Sequence, residues 1–177
     1  RQTTNDTYNF ISSGFDHNCA ISSTTSKISC WGGDKYNQVS DPPTSDIYNF
    51  ISSGNAHNCA ISSTTSKITC WGYDDFNQVS NTPTSGIYNF ISPVDDHNCA
   101  IFSSTSKITC WGNDFYNQVS DTPTRDTYNF ISSGDDHNCA ISSTTSKITC
   151  WGDDYSNQVS DVNDAELQIF TPLLCPS

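Results

Sequence analysis

Apolar and polar residues follow one order in four consecutive stretches of 40 residues, with no insertion or deletion between them. Each stretch opens with Tyr-Asn-Phe-Ile-Ser, continues with His-Asn-Cys-Ala-Ile and Cys-Trp-Gly, and then reaches Asn-Gln-Val-Ser. The stretches begin at Tyr8, Tyr48, Tyr88 and Tyr128. A period of roughly 20–50 residues is typical of solenoids, propellers and arrays, because each period is one supersecondary unit. Near-identical repeats also suit a task that is performed many times over.

Within one repeat, the pattern predicts short strands and no helix. Residues 8–12 alternate apolar and polar side chains and lead into Ser-Gly, which indicates a strand followed by a turn. Residues 19–23 and 27–31 predict a second and a third strand, joined by a link short enough for a hairpin. A loop and a short fourth strand near Gln38 and Val39 are expected next. Since no segment has helical periodicity with caps, the sequence predicts an all-β chain with three or four strands per repeat.

The cysteine spacing and the apolar pattern predict the same hairpin. If Cys19 lies opposite Cys30 in an antiparallel pair, then Ile21 lies opposite Ile28, and all four side chains share one face. Paired cysteines in every repeat predict disulfides and an oxidising compartment, whereas a zinc site needs tighter spacing such as Cys-x₂-Cys. Each bridge should contribute about 3 kcal/mol in the chain-entropy model. The predicted pairs are Cys19–Cys30, Cys59–Cys70, Cys99–Cys110 and Cys139–Cys150.

Charge and composition argue against several classes of function. The 177 residues include 7 Lys and Arg against 19 Asp and Glu, which gives a net charge of −12. Nucleic-acid binding needs clustered basic residues, so no nucleic-acid partner is expected. No stretch reaches the roughly 18 apolar residues of a membrane span. The sequence has no Met and no signal peptide, so we expect a processed or excised piece of a longer, secreted or extracellular product.

The repeat resembles that of a known family. Ile-Ser-Ser-Gly-x-x-His-x-Cys-Ala-Ile, followed by Lys-Ile-x-Cys-Trp-Gly-x-Asp-x-x-Asn-Gln-Val, is similar to the repeat of the regulator of chromosome condensation superfamily, in its compact form of about 40 residues. The resemblance recurs four times and covers nearly the whole chain. It implies a β-propeller with one repeat per blade, commonly with about seven blades. The departures are Asn37-Gln38-Val39-Ser40 in place of Gly-Gln-Leu-Gly, Ser-Thr-Thr-Ser in place of a turn with glycine, and Pro93-Val94 in place of Ser-Gly.

Four repeats are too few for the ring that the family forms. We therefore expect four tandem blade-like repeats in an open arc of a propeller or in a stacked array. Residues near the N-terminus match the end of repeat 3, and Phe170 lies 40 residues after Phe130. The predicted units are a tail of a preceding repeat at 1–7, repeats at 8–47, 48–87, 88–127 and 128–167, and a C-terminal strand and tail, the start of a fifth repeat, at 168–177.

Three invariant columns each have a functional and a structural interpretation. The histidines could bind metal or switch with pH, but the resemblance implies a buried structural hydrogen bond. The tryptophans could stack on sugars, but packing between blades is favoured. The aspartates could bind Ca²⁺, but turn formation is favoured because no calcium-loop motif is present. The columns are His17, His57, His97 and His137, then Trp31, Trp71, Trp111 and Trp151, then Asp34, Asp74, Asp114 and Asp154.

The variable columns are more informative about binding than the invariant ones. They comprise residues 15–16, 33–36 and 41–47, together with their copies 40, 80 and 120 residues further on. Aromatic and acidic loops on one rim could form a contact surface for a protein or a glycan, and the alternative is solvent loops that drift without function. The candidate ligand residues are Asp34, Tyr36, Tyr73, Asp75, Phe76, Phe115, Tyr116, Asp153 and Tyr155.

Two functions remain open from the sequence, and neither is enzymatic, since no catalytic, phosphate-binding or metal-binding motif is present. The first is an extracellular structural protein that associates with itself head to tail into a filament, stalk or coat. Leu167 and Ile169 would add a strand to a neighbouring copy, and Cys175 would bond across or beside the junction. The second is a secreted propeller-type binding module. No cofactor is expected, and Asn5 is the predicted N-glycosylation site.

Overall fold

The computed structural model describes residues 6–163 and has four antiparallel sheets of three strands each, which we call blades 1 to 4. A single 3₁₀ turn follows at Ser160–Asn163. The all-β fold of four blade-like repeats is confirmed. Each sheet has its strands in chain order, and the first strands begin at the first residues of the four predicted repeats. The strands are β1 Tyr8–Ser13, β2 His17–Ser22, β3 Ile28–Gly32, β4 Tyr48–Ser53, β5 His57–Ser62, β6 Ile68–Gly72, β7 Tyr88–Val94, β8 His97–Phe102, β9 Ile108–Gly112, β10 Tyr128–Ser133, β11 His137–Ser142 and β12 Ile148–Gly152.

The hairpin register is the one that the cysteine spacing predicts. In blade 1, Cys19 pairs with Cys30 and Ile21 pairs with Ile28 across β2 and β3. A disulfide joins the two cysteines, whose Cα atoms are 4.1 Å apart. The equivalent bridges Cys59–Cys70, Cys99–Cys110 and Cys139–Cys150 are present in the other three blades.

Peptide mapping without reduction tests this connectivity, because trypsin cuts between the two cysteines of every pair. Given the positions of Lys and Arg, we expect peptide 2–27 linked to 28–35, peptide 36–67 linked through 68–107 to 108–125, and peptide 126–147 linked to 148–177. Reduction should separate all of these species. A link between peptides 2–27 and 36–67 would mean that the bridges cross between repeats, which the hairpin register does not permit.

The expected fourth strand is wrong, because the segment after β3 is a turn. The Asp34 carboxylate accepts hydrogen bonds from the backbone N–H groups of Val39, at 2.8 Å, and Ser40, at 2.9 Å. Asn37 takes a positive φ of 60°, a conformation that asparagine tolerates better than most residues. The backbone donors that a strand would present to a neighbour are thus held by a side chain. The same turn forms at Asp74, Asp114 and Asp154.

The tight hairpin turn between β2 and β3 is built without glycine. Ser22 Oγ accepts the backbone N–H groups of Thr24 and Thr25, and Ser26 N–H donates to Ser22 O at 2.9 Å. Ser26 carries the positive φ, 54°, that a turn of this kind requires. A serine hydroxyl that satisfies local backbone donors therefore compensates for the missing glycine.

Adjacent blades pack face to face, and each junction has two different sides. Blade 1 contributes the face with Cys19 and Ile21, and blade 2 contributes the opposite face with Tyr48, Ile51 and Trp71. The same two faces meet between blades 2 and 3 and between blades 3 and 4. Contacts link successive blades, and within residues 6–163 the four blades form an open array, not a closed ring.

The two outermost blades therefore expose one half of a junction each. In blade 1, Ile11 is 62% exposed and Trp31 is 45% exposed, whereas Ile51 and Trp71 of blade 2 are 0% and 4% exposed. In blade 4, Ile148 is 51% exposed because no further blade covers it among the described residues. We call these two surfaces the leading face, on blade 1, and the trailing face, on blade 4.

Several predictions fall outside the described residues. They are the expected strand addition by Leu167 and Ile169, the expected intermolecular bond of Cys175, the expected glycosylation at Asn5 and the terminal unit 168–177. In the part of the chain that the structure does describe, no helix has the length and apolar character needed to cross a membrane.

Candidate binding surface

Two sets of loops meet at one edge of the blades. In blade 1, β1 ends, β2 begins and β3 ends at the same edge, because the three strands are antiparallel neighbours. The loop 14–16 and the turn 33–40 therefore lie side by side, and the same holds in the other blades. We call these loops and their copies 40, 80 and 120 residues further on the loop rim. It contains two of the three variable column sets, on a scaffold of nearly invariant strands.

Aromatic side chains form a continuous row along the loop rim from blade 1 to blade 3. The ring centroids of Tyr36 and Tyr73 are 4.6 Å apart, those of Tyr73 and Phe76 are 6.4 Å apart, and those of Phe76 and Phe115 are 5.8 Å apart. These distances are typical of favourable aromatic pairs. We call these four residues the aromatic row. The structure thus brings together four of the candidate ligand residues from three different repeats.

Other candidate ligand residues lie apart from the row. Tyr116 is 49% exposed and Tyr155 is 94% exposed, and neither ring pairs with another aromatic ring of residues 6–163. The Asp153 carboxylate accepts a hydrogen bond from Gln158 Nε2 at 2.7 Å, so it supports its own turn. Asp34 likewise stabilises a turn and faces backbone donors.

The loop rim is strongly acidic. Lys35 is the one basic side chain in these loops, and the aspartates include Asp16, Asp75, Asp95 and Asp96. Burial, followed by the neighbouring carboxylates of Asp95, Asp136 and Asp75, raises the pKa of Asp96 to about 6. Carboxylates that crowd one another in this way create a negative potential that attracts cations.

A cleft opens on the loop rim where blades 1, 2 and 3 meet. Its volume is about 470 Å³, and we call it the rim cleft. Its lining includes the aromatic rings of Phe15, Tyr36 and Tyr73 and the carboxylates of Asp16, Asp95 and Asp96. The cleft therefore combines aromatic walls with negative charge at one end of the aromatic row.

A buried polar network joins the blades beneath the loop rim. His17 Nε2 donates to Asn58 Oδ1 across the junction at 2.8 Å, and Asn58 Nδ2 donates to the backbone oxygen of Gln38 at 2.9 Å. Trp71 Nε1 donates to the same oxygen at 3.0 Å. Because the Asn58 amide N–H must face the carbonyl, its oxygen faces the histidine, which therefore carries its proton on Nε2. Equivalent networks join His57, Asn98, Gln78 and Trp111, and His97, Asn138, Gln118 and Trp151.

This network gives the histidine and tryptophan columns a structural role at the junctions. His57 is fully buried, and burial lowers its pKa to about 4, so the ring is neutral at physiological pH. Trp71, Trp111 and Trp151 are each at most 6% exposed, which leaves no open ring face for a sugar. Within residues 6–163, no group of three or more His, Cys, Asp or Glu side chains is arranged to hold a metal ion.

Comparison with known proteins identifies the fold. No protein-family model and no curated protein sequence matches this chain. The ectodomain of the receptor kinase CR4 from Physcomitrella patens matches with a TM-score of 0.74 at 22% identity, over 83% of this chain and 41% of that one. The CRINKLY WD40 ectodomain of the Arabidopsis thaliana receptor kinase ACR4 matches with a TM-score of 0.72 at 24% identity, over 85% and 55%. Saccharomyces cerevisiae Prp20p, the yeast RCC1, matches with a TM-score of 0.69 at 14% identity, over 85% and 46%.

The chain has the blade fold of regulator of chromosome condensation repeats. The resemblance seen in the sequence is thereby confirmed at the level of the fold. This chain spans about half the length of the structures that it matches.

The most important residues missed in the sequence are the two amide columns of these blades. Asn58 and Gln38 occupy positions where the same residue type recurs in all four repeats, yet neither column carried an assigned role. Both residues are at most 1% exposed. Recurrence of the same amide side chain in all four repeats was the available signal, because a buried amide must keep its hydrogen-bond partners.

Proposed function

We propose that this chain is part of an extracellular binding module of the propeller type, which contacts a protein partner through its loop rim. The aromatic row carries the proposal. Variable loops on a rigid scaffold are a common arrangement for binding sites, and Tyr and Phe are enriched at protein interfaces. The four disulfides and the likeness to two receptor ectodomains support an extracellular location.

The geometry of the row favours a protein over a glycan as the partner. A sugar ring stacks on a flat, open aromatic face. The rings of the row meet at interplanar angles of 55°, 72° and 83°, so each ring covers part of its neighbour. A ridged surface with edges and narrow gaps suits interdigitation with side chains.

Selection from a displayed peptide library tests the proposed function. We expect the chain to enrich peptides whose affinity falls roughly thirtyfold in the Tyr73→Ser variant, the loss typical of an interface hot spot. Tyr155→Ser is the matched control, because it removes the same ring from an exposed site outside the row. Failure to enrich any peptide, or equal losses in the two variants, would contradict binding by the row.

Head-to-tail self-association is a second candidate, and the exposed end faces specifically favour it. The trailing face exposes Ile148 beside the Cys139–Cys150 bridge, and the leading face exposes Ile11 and Trp31. These are the two halves that meet at each internal junction, so a second copy fits the trailing face as blade 2 fits blade 1. Such a heterologous contact repeats from copy to copy and would build the filament, stalk or coat that the sequence suggested.

Two blocked variants test the assembly. Ile11→Asp places a charge on the leading face only, and Ile148→Asp places a charge on the trailing face only. Each variant alone should therefore be monomeric in sedimentation experiments, because one of the two faces that must meet is disrupted in every copy. Mixed together, they should form a dimer that cannot grow, because each retains the half that the other lacks. If the unmodified chain stays monomeric at high concentration, or the mixture forms no dimer, association through the end faces is excluded. A chain ending at residue 163 should still associate by this route, whereas strand addition by Leu167 and Ile169 would be lost.

A further inference from the structure

The rim cleft has a composition that suits a cation better than any other ligand. Its aromatic walls come from three different loops and include Phe15, whose side chain is 85% exposed. Its carboxylates come from blades 1 and 3, so they approach from opposite sides. A cation held over aromatic rings and between carboxylates gains from both interactions.

Asp95 and Asp96 of the cleft lack a basic partner among the described residues. Asp95 accepts a hydrogen bond from Asn55 Nδ2 at 2.6 Å, and Asp96 accepts a long one from Gln78 Nε2 at 3.4 Å. Both donors are neutral amides. Asp16 lies 3.7 Å from His17 Nδ1, the one close approach of a basic group. The negative charge of the cleft is therefore left for a bound group to neutralise.

One ammonium group already lies on the aromatic wall of the cleft. Lys35 Nζ is 4.7 Å from the centroid of the Tyr36 ring and 2.8 Å from the Tyr36 hydroxyl oxygen. The Lys35 side chain also lines the cleft and is solvent-exposed. The wall is thus shaped to accept a cation, and a lysine of the same loop occupies part of it.

We propose that the rim cleft binds an arginine side chain of the partner protein, with Lys35 as an internal competitor. This inference rests on the proposed function, since it names the group that the loop rim recognises. A planar guanidinium can stack on Tyr36 or Tyr73 while its N–H groups reach Asp95 and Asp96. The volume of about 470 Å³ accommodates one such side chain with part of its backbone.

The probe is the peptide acetyl-Gly-Arg-Gly-amide, which is titrated into the isotope-labelled chain. Binding is followed through the backbone amide chemical shifts of the chain in NMR spectra. We expect saturable shifts confined to residues that line the cleft. The citrulline analogue has nearly the same shape without the charge and should not bind. Equal binding of the two peptides, or arginine-induced shifts spread over the whole surface, would overturn the proposal.

Two pairs of charge-matched variants separate a specific site from general attraction. Lys35→Ala should tighten binding of the arginine peptide roughly two- to tenfold, because it frees the aromatic wall. Lys67→Ala makes the same change in net charge in a hairpin turn far from the loop rim and should have no effect. Asp96→Asn should weaken binding roughly tenfold, as expected when a charged hydrogen-bond partner is lost. Asp121→Asn removes the same charge from a linker outside the cleft and should leave the affinity unchanged.

The outcomes also distinguish arginine binding in the rim cleft from the proposed function, which is protein binding through the aromatic row. If library peptides bind through Tyr73 but lack arginine, and the arginine peptide does not bind, then the inference about the cleft is wrong and the binding module stands. If the arginine peptide binds with the pattern above while library peptides are indifferent to Tyr73, the cleft stands and the role of the aromatic row is wrong. If the two variants of each matched pair behave alike, the cleft is not a site.

Discussion

Replacement of Trp71 by alanine is expected to lower the free energy of unfolding by about 3–5 kcal/mol, the usual cost of removing a large buried aromatic side chain. Trp71 is 4% exposed and belongs to the hydrophobic cluster between blades 1 and 2, to which blade 1 contributes Cys19 and Ile21. The loss should come from the cavity and the lost contacts. The carbonyl of Gln38 keeps its second donor, Asn58 Nδ2, so no buried acceptor is left without a partner.

Trp31→Ala is the matched control, because Trp31 is the same residue in the same column but is 45% exposed. It should cost less than half as much in urea unfolding followed by circular dichroism. Hydrogen exchange should show that Trp71→Ala lowers protection mainly in blades 1 and 2, since each repeat contacts only its neighbours. A cost below roughly 1 kcal/mol for Trp71→Ala would mean that the ring does not hold the junction together.

Acidification from pH 6.5 to pH 4 is expected to destabilise the fold by about 3 kcal/mol through His57 alone. Burial lowers the pKa of His57 from 6.5 to about 4. Between pH 6.5 and pH 4 the unfolded chain binds a proton at His57, whereas the folded chain does not. Unfolding therefore becomes more favourable as the pH falls. The contribution is fully present above pH 6.5 and is lost by about pH 4. Burial lowers the pKa of His97 as well, which adds to the same decline.

Asp96 opposes this decline in part of the same window. Because its pKa is raised from 3.8 to about 6, the folded chain gains stability as the pH falls through that range. Asp96→Asn should therefore steepen the loss of stability between pH 6 and pH 4, and His57→Gln should flatten it. Unfolding free energies measured in urea at several pH values check both slopes. A slope that neither variant alters would show that other groups control the acid sensitivity. Hydrogen bonds from the backbone N–H groups of Ser40 and Val39 lower the pKa of Asp34, so this carboxylate loses its contribution to stability only below pH 3.8.

Local features of the repeat could be read from the sequence with good accuracy. The alternation of side chains placed Cys19 opposite Cys30 and Ile21 opposite Ile28, because a hairpin register follows from spacing alone. Burial of the tryptophans at blade junctions was also expected, since a large apolar residue in every repeat needs a repeated partner. Trp31 departs from its column because it lies on the leading face, where no described blade precedes it.

Contacts between repeats could not be predicted from the pattern of apolar and polar residues within one repeat. The bond between His17 and Asn58 joins columns of different repeats, and no periodicity within a repeat shows which columns face each other. The aromatic row is hidden for the same reason, because Tyr73 meets Tyr36 of blade 1, and Phe76 meets Phe115 of blade 3, only after the blades have stacked. The expected fourth strand failed on a local point: Val39 has a residue type common in strands, but the Asp34 carboxylate holds its N–H.

The two-sided junction has a consequence for how such a chain can change in length. Each 40-residue period carries both halves of the joint, so removing residues 48–87 would bring the Tyr88 face directly onto the Cys19–Cys30 face. The apolar core side chains that meet would be of the same types as before, since Tyr88, Ile91 and Trp111 replace Tyr48, Ile51 and Trp71, and every disulfide would remain within its own hairpin. Recombination between the near-identical repeats of the gene could therefore add or delete whole blades without creating a mismatched interface. The number of blades can change in this way while the apolar contacts of the junctions are kept. The same events place loops of different sequence next to one another on the loop rim.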